Sequence, residues 1–162
     1  VFLKGLNEGL AAILQRAGAT MFATAFHGVI NLKTGTLTYA CAGHPGPIVD
    51  GPDGVRQLAA DRDQKGPGLG LFPGSNYPTT SIPLSSIKRV ILFTDGVIEA
   101  ENQDGEPFFE KRLMDIVAGQ SGNSMEELLN GILSSVLAFS DARHFDDDVC
   151  LLGLEISSIS GQ

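Results

Sequence analysis

The sequence predicts an α+β fold in which two packed, mainly antiparallel β-sheets are flanked by helices, an α-β-β-α sandwich. Turn chemistry at Lys33-Thr34-Gly35 and at Gly51-Pro52-Asp53-Gly54 joins consecutive apolar runs into hairpins, which excludes a purely parallel sheet. The runs at 90–93 and 149–154 carry apolar side chains at successive positions, so both faces of those strands need cover. Amphipathic helical stretches supply the outer layers.

In chain order, residues 2–16 place Leu3, Leu6, Leu10, Ile13 and Leu14 on one helical face, and Gly18 marks the helix end. Met21 to Asn31 reads as a strand, paired through the first turn with Thr36 to Ala42. Ala42-Gly43-His44-Pro45-Gly46-Pro47 breaks the second strand. Short strands at Ile48-Val49-Asp50 and Val55 to Leu58 flank the second turn. Residues 59–76, rich in Gly and Pro, form a long surface loop: either a floppy connector or a segment that shapes access to a site. Tyr77 to Ile82 is a strand leading through Pro83-Leu84-Ser85-Ser86 into Val90-Ile91-Leu92-Phe93. A short helix follows, marked by Phe109, Leu113, Ile116 and Val117. Ser124-Met125-Glu126-Glu127 is a capping box, opening a helix with a stripe at Met125, Leu129, Ile132, Val136 and Phe139. That stripe reads as core. The last strand ends near Ser157, and 158–162 is a polar tail.

At 162 residues the chain reads as one domain, spanning 1–157, with a sizeable core. A net charge of −8 excludes a nucleic-acid surface and a basic membrane-binding face. No apolar run approaches the roughly 18 residues of a membrane span, so direct membrane insertion is not expected. Cys41 and Cys150 both fall in predicted strands, as small buried hydrophobes of a reducing, cytoplasmic compartment; a disulfide between them is not implied.

Two stretches carry chemistry. Val90 to Phe93 stops abruptly at Thr94-Asp95-Gly96, which places the Asp95 carboxylate at the end of a rigid, covered strand. Gly96 permits an immediate turn. Near the C-terminus, Asp146-Asp147-Asp148 precedes the last strand. Adjacent carboxylates repel, and a bound cation or a solvated loop relieves that cost. If the two strands are antiparallel neighbours, both acidic groups reach one edge of one sheet and offer oxygen ligands to a hard cation. The plainer readings are a capped turn after Asp95 and an acidic solvated turn at 146–148. His44 reads as part of a strand-end turn with a hydrogen-bonded imidazole, in preference to a general acid. His27 and His144 have no partners in sequence that indicate a site.

T-D-G-V-I-E-A-E at 94–101, A-G-H-P-G-P at 42–47, G-L-G-L-F-P at 68–73 and D-D-V-C-L-L at 147–152 resemble the bacterial SpoIIE/RsbU-type branch of the PPM (PP2C-like) serine/threonine phosphatases. Leu6-Asn7 and Met21-Phe22-Ala23-Thr24 also look like that family, so the resemblance covers essentially the whole chain. It implies a β-sandwich flanked by helices, and hydrolysis of phosphoserine or phosphothreonine with two divalent metals, Mn2+ or Mg2+. It implies Asp95 and Asp147 as metal ligands, with no side chain of this chain acting as the nucleophile. Asp148 and Gly96 are candidates for the layer just outside the ligands. The substrate implied is a phosphorylated STAS-type regulatory protein, an anti-sigma-factor antagonist in a partner-switching pathway, and the parent chain is expected to carry an upstream sensor or receiver domain.

The family pattern also has a first strand hairpin and further ligands, in a G-D motif and a D-[VI]-x-G-[HK]-G motif. This sequence starts after them. The complete metal site is therefore expected to need residues upstream, and these residues alone are expected to be inactive. A non-catalytic phosphatase-like module that binds a regulatory partner is the rival reading. A phosphoacceptor receiver domain fits poorly, because it needs its acidic pair after the first strand and alternating strands and helices.

Overall fold

The structure, a computed structural model, describes residues 2–141, 145 and 147–156. Among the described residues the chain forms three α-helices and seven strands in two antiparallel sheets, the expected α+β fold. The order is α1 (Phe2–Ala17), β1 (Ala25–Asn31), β2 (Thr36–Ala42), β3 (Ile48–Gly51), β4 (Gly54–Gln57), β5 (Thr80–Pro83), β6 (Arg89–Phe93), α2 (Phe109–Gly119), α3 (Met125–Ser140) and β7 (Leu151–Glu155). The chain divides into two compact units, Val1–Gly46 with Ala59–Leu84, and Pro47–Leu58 with Ser85–Gln162. The expected polar tail at 158–162 and the strand end at Ser157 lie outside the described residues.

The first unit holds α1 and the sheet β1-β2-β5. Asn31 closes the β1–β2 turn by accepting hydrogen bonds at its side-chain oxygen from the Lys33 and Thr34 amides, at 3.0 and 3.2 Å. β1 starts at Ala25 instead of Met21, because the preceding residues leave the sheet and Ala23 bridges to Leu69. Helix α1 also differs from the sequence reading. Its buried line is Leu3, Asn7 and Ala11, while Leu6 and Ile13 are exposed. The reason is Asn7, which is fully buried. Its carboxamide donates to the Phe72 carbonyl at 3.0 Å and accepts from the Gly70 amide at 2.8 Å. Two backbone groups of the 59–76 loop are thereby satisfied by one side chain, and the helix is rotated to present it. Glu8 accepts from the Gly74 amide at 2.9 Å. From Gly66 to Gly74 the loop is fastened to α1, to the residues before β1 and to the end of β2, so this stretch is not a floppy connector.

The second unit is built on the sheet β4-β3-β6-β7. β6 lies between β3 and β7 and is antiparallel to both. Ile91 and Phe93, on one of its faces, pack with Ile48, with Leu113 and Val117 of α2, and with Leu128, Ile132 and Val136 of α3. Val90, on the other face, is buried too, so β6 is covered on both sides as its composition requires. β7 is not. Leu152 and Leu154 of this last strand of the sheet are 49% and 44% exposed. Apolar residues on both faces were therefore a misleading signal there. Helix α3 opens with the full capping box at Ser124 and Glu127. Hydrogen bonds from the Ser124 amide and hydroxyl hold the Glu127 carboxyl below its ordinary range.

One buried ion pair joins sheet to helices. Arg89 faces Asp50 across the β3–β6 ladder, and its guanidinium donates twice to one Asp50 oxygen, at 3.1 and 2.7 Å. It also donates to the carbonyls of Gln120 and Asn123, both at 3.3 Å, in the α2–α3 connection. Both side chains are buried.

Arg89→Met is expected to cost about 3–5 kcal/mol, because it strands the Asp50 carboxylate in the interior. Asp50→Leu combined with Arg89→Met should recover part of that loss and not all, since the Gln120 and Asn123 carbonyls still lose a donor. Urea unfolding of the three proteins measures both. Separately, Asn7→Leu should destabilise by about 1–3 kcal/mol and speed hydrogen exchange at the Gly70 amide, which loses its acceptor.

Candidate metal-binding edge

The second unit brings the two acidic stretches to one place. In the β6–β7 register Phe93 pairs with Leu151, so the C-terminal end of β6 meets the N-terminal start of β7. The residues just beyond that pair are Thr94-Asp95-Gly96 on one side and Asp147-Asp148-Val149-Cys150 on the other. The chain turns at once after β6 into a single 3₁₀ turn, Asp95–Val97, whose closing bond runs from the Ile98 amide to the Asp95 carbonyl at 2.9 Å. Asp95 is half-buried, and Asp147 and Asp148 are exposed.

The two segments are stitched together past the ladder. Thr94 donates its amide to the Cys150 carbonyl at 3.1 Å. Its hydroxyl donates to the Asp148 carbonyl at 2.8 Å and accepts from the Cys150 amide at 2.8 Å. Gly96 packs against the same carbonyl. A Cβ there would stand 2.8 Å from the Asp148 oxygen and 3.3 Å from a Val149 methyl. The Asp148 amide donates to Oδ1 of Asp147 at 2.7 Å, within the loop. Of the residues singled out in the sequence, Gly96 and Asp148 are thus in direct contact through their main chains, with Asp95 and Asp147 as their immediate neighbours. Thr94 escaped the sequence reading. The only signal was its place in T-D-G, where a hydroxyl precedes the acid.

These carboxylates suit a hard divalent ion in kind, being oxygen donors at the edge of a rigid strand. In number they leave most of a six-oxygen shell to other donors. Among the described residues no three His, Cys, Asp or Glu side chains gather into a metal-binding group. Asp146 lies outside the described residues.

Two of the histidines are described, and each has a neighbour. His44 sits at the end of β2 in the first unit, with its Nδ1 3.0 Å from the Thr24 hydroxyl. The turn holding it requires Gly43, at φ +65°, where a Cβ would lie 3.0 Å from the Gly68 nitrogen. His27 stacks on Phe2 with ring centroids 4.4 Å apart. His144 lies outside the described residues. The cysteines are both free thiols. Cys41 is buried, donates to the His44 carbonyl at 3.0 Å, and has its pKa pushed up by burial. Cys150 corrects the sequence reading: it precedes β7 and is exposed.

Comparison with known proteins places this architecture. The family model described as Stage II sporulation protein E (SpoIIE) matches residues 1–157. The chain belongs to that family, the SpoIIE/RsbU-type branch of the PPM (PP2C-like) phosphatases. It is 31% identical over 147 residues to a Bacillus subtilis protein named phosphoserine phosphatase RsbU, an alignment that takes in 90% of this chain and 42% of RsbU. It spans less than half the length of the curated relatives it matches. The structure is similar to the RsbU and RsbW domains of a Mycobacterium tuberculosis protein, with a TM-score of 0.68 and 23% identity over 90% of this chain and 39% of that one. It is also similar to the phosphatase domain of SpoIIE from Bacillus subtilis, presoaked with Mn, with a TM-score of 0.61 and 15% identity over 82% of this chain and 56% of that one. At these identities the two structures establish a shared fold.

Because Cys150 is exposed and Cys41 is buried with a raised pKa, a thiol reagent at pH 8 is expected to modify Cys150 in the native protein and Cys41 only after unfolding. Counting modified thiols with and without denaturant, and mapping them by mass spectrometry, checks this.

Proposed function

We propose, for this member of the SpoIIE family, that the chain is part of a metal-dependent phosphatase acting on phosphoserine or phosphothreonine of a regulatory protein. The substrate class we propose is a STAS-type anti-sigma-factor antagonist in a bacterial partner-switching pathway, with a sensor or receiver domain elsewhere in the parent chain. The relative named phosphoserine phosphatase RsbU supports the reaction class. The single observation that carries the reading is the antiparallel meeting of β6 and β7, which sets an acid at the end of one strand beside acids at the start of the next.

In this reading Asp95 and Asp147 would hold a divalent ion, Mn2+ or Mg2+. When bound, such an ion supplies acidified water for attack on phosphorus and neutralises phosphoryl charge. The chain's own work is positioning. β6, covered on both faces, fixes the backbone that leads into Asp95 at the end of the strand. Asp147 is placed by the loop that Thr94 and Gly96 hold against that edge. Further ligands, from water and from residues outside this sequence, would complete the shell. The rival reading is a phosphatase-like module that binds a partner without turnover, and metal binding by the complete protein separates the two.

Asp95→Asn and Asp147→Asn in the complete protein are expected to lower Mn2+-dependent phosphopeptide turnover by at least ~100-fold, beyond the usual effect of losing a residue outside the ligand shell. Circular dichroism and thermal melting should be nearly unchanged, since each substitution keeps the side chain's shape. Retained turnover in both variants removes these residues from the mechanism. Absence of turnover and of Mn2+ binding in the unaltered complete protein establishes the non-catalytic reading.

A further inference from the structure

We infer that Thr94 is a positioning residue whose hydroxyl sets the separation between Asp95 and the Asp147-bearing loop. The inference rests on the metal-dependent reading above. Its structural basis is a substitution of one acceptor for another. In a regular antiparallel ladder the residues of a hydrogen-bonded pair exchange backbone N–H and C=O groups. Thr94 and Cys150 keep half of that exchange, the Thr94 amide donating to the Cys150 carbonyl at 3.1 Å. The return bond goes elsewhere: the Cys150 amide donates to the Thr94 hydroxyl, at 2.8 Å. The Thr94 carbonyl is thereby released, and it accepts from the Val97 amide at 3.1 Å, closing the 3₁₀ turn that carries Asp95.

The side chain thus lets one residue finish the sheet and begin the turn. A hydroxyl has one proton to give, and Thr94 gives it to the Asp148 carbonyl at 2.8 Å. From Asp148 the chain of contacts continues to the neighbouring acid, because the Asp148 amide donates to Oδ1 of Asp147 at 2.7 Å. Gly96 acts on the same carbonyl from the other side of Asp95: with no Cβ it lets the Asp148 oxygen approach to a distance no alanine permits. Asp95 is therefore bracketed by a hydroxyl that draws the Asp148 peptide in and a glycine that gives it room. A serine at position 94 supplies the same bonds. A valine, of nearly the same shape, supplies neither and leaves the Cys150 amide and the Asp148 carbonyl without these partners.

The test uses Thr94→Val, Thr94→Ser, Gly96→Ala and Asp95→Asn in the complete protein, with Mn2+ affinity by isothermal calorimetry and turnover of a phosphopeptide across a Mn2+ titration. Thr94→Val should weaken Mn2+ binding about 10–100-fold, the range for residues that orient ligands, and much of the lost turnover should return at saturating Mn2+. Thr94→Ser should restore affinity to within about threefold of the parent, given that its hydroxyl makes the same bonds. Gly96→Ala, which pushes on the loop without touching the hydroxyl, should also weaken Mn2+ binding, and it carries the test if Thr94→Val fails to fold. Mn2+ affinity unchanged in Thr94→Val or in Gly96→Ala, or lost equally in Thr94→Ser and Thr94→Val, overturns the inference. Asp95→Asn separates the two levels. If it binds Mn2+ and turns over like the parent, the metal-dependent reading itself fails. If it is inert while Thr94→Val behaves like the parent, only the role of Thr94 is wrong.

Discussion

Strand β6 is the constraint on which the second unit depends. It is five residues long, lies between β3 and β7, and has apolar side chains on both faces. A strand of that kind has no face to offer water, so other elements must be recruited to each side. Helices α2 and α3 cover Ile91 and Phe93. The ladder bonds to β3 and β7 satisfy its backbone. At each end the strand leaves one charged residue: Arg89 at the start, Asp95 just past the finish.

Those two ends are treated differently. Arg89 is drawn inside, where Asp50 and the carbonyls of Gln120 and Asn123 take up its donors. Removing a guanidinium from water is costly, and only a nearly complete set of partners offsets it. The result ties the sheet to the α2–α3 connection. Asp95 stays half-buried at an edge, next to a loop with two further acids. A pair of opposite charges closes on itself; a gathering of like charges stays open to a cation. The same strand thus carries a structural charge at one end and a candidate ligand at the other.

In the first unit the corresponding role falls to a neutral side chain. Asn7 reads one amide and one carbonyl of the 68–73 segment, and its amide geometry satisfies both without any charge. Gly43 lets the end of β2 approach that segment closely. A Gly- and Pro-rich stretch that looks unstructured by composition is held in place by contacts to α1 and β2, among elements distant in sequence.

Local elements were legible in consecutive residues: the two hairpin turns, the capping box at Ser124 and Glu127, the apolar strand that stops just before Thr94-Asp95-Gly96, and an acidic segment before the last strand. Each of these is signalled within a few consecutive residues, and in the capping box the bonds themselves span only three positions, between Ser124 and Glu127. The pairing of β6 with β7, and the place of β7 at an edge with Leu152 and Leu154 exposed, emerge in the folded chain alone. So does the rotation of α1 that turns Asn7 inward and Leu6 outward. Separation along the chain accounts for the difference. Thr94 reaches Asp148 across 54 positions, and Asn7 reaches Gly70 across 63. Periodicity reports which side chains avoid water; it does not record which distant backbone group will need a threonine hydroxyl or an asparagine amide.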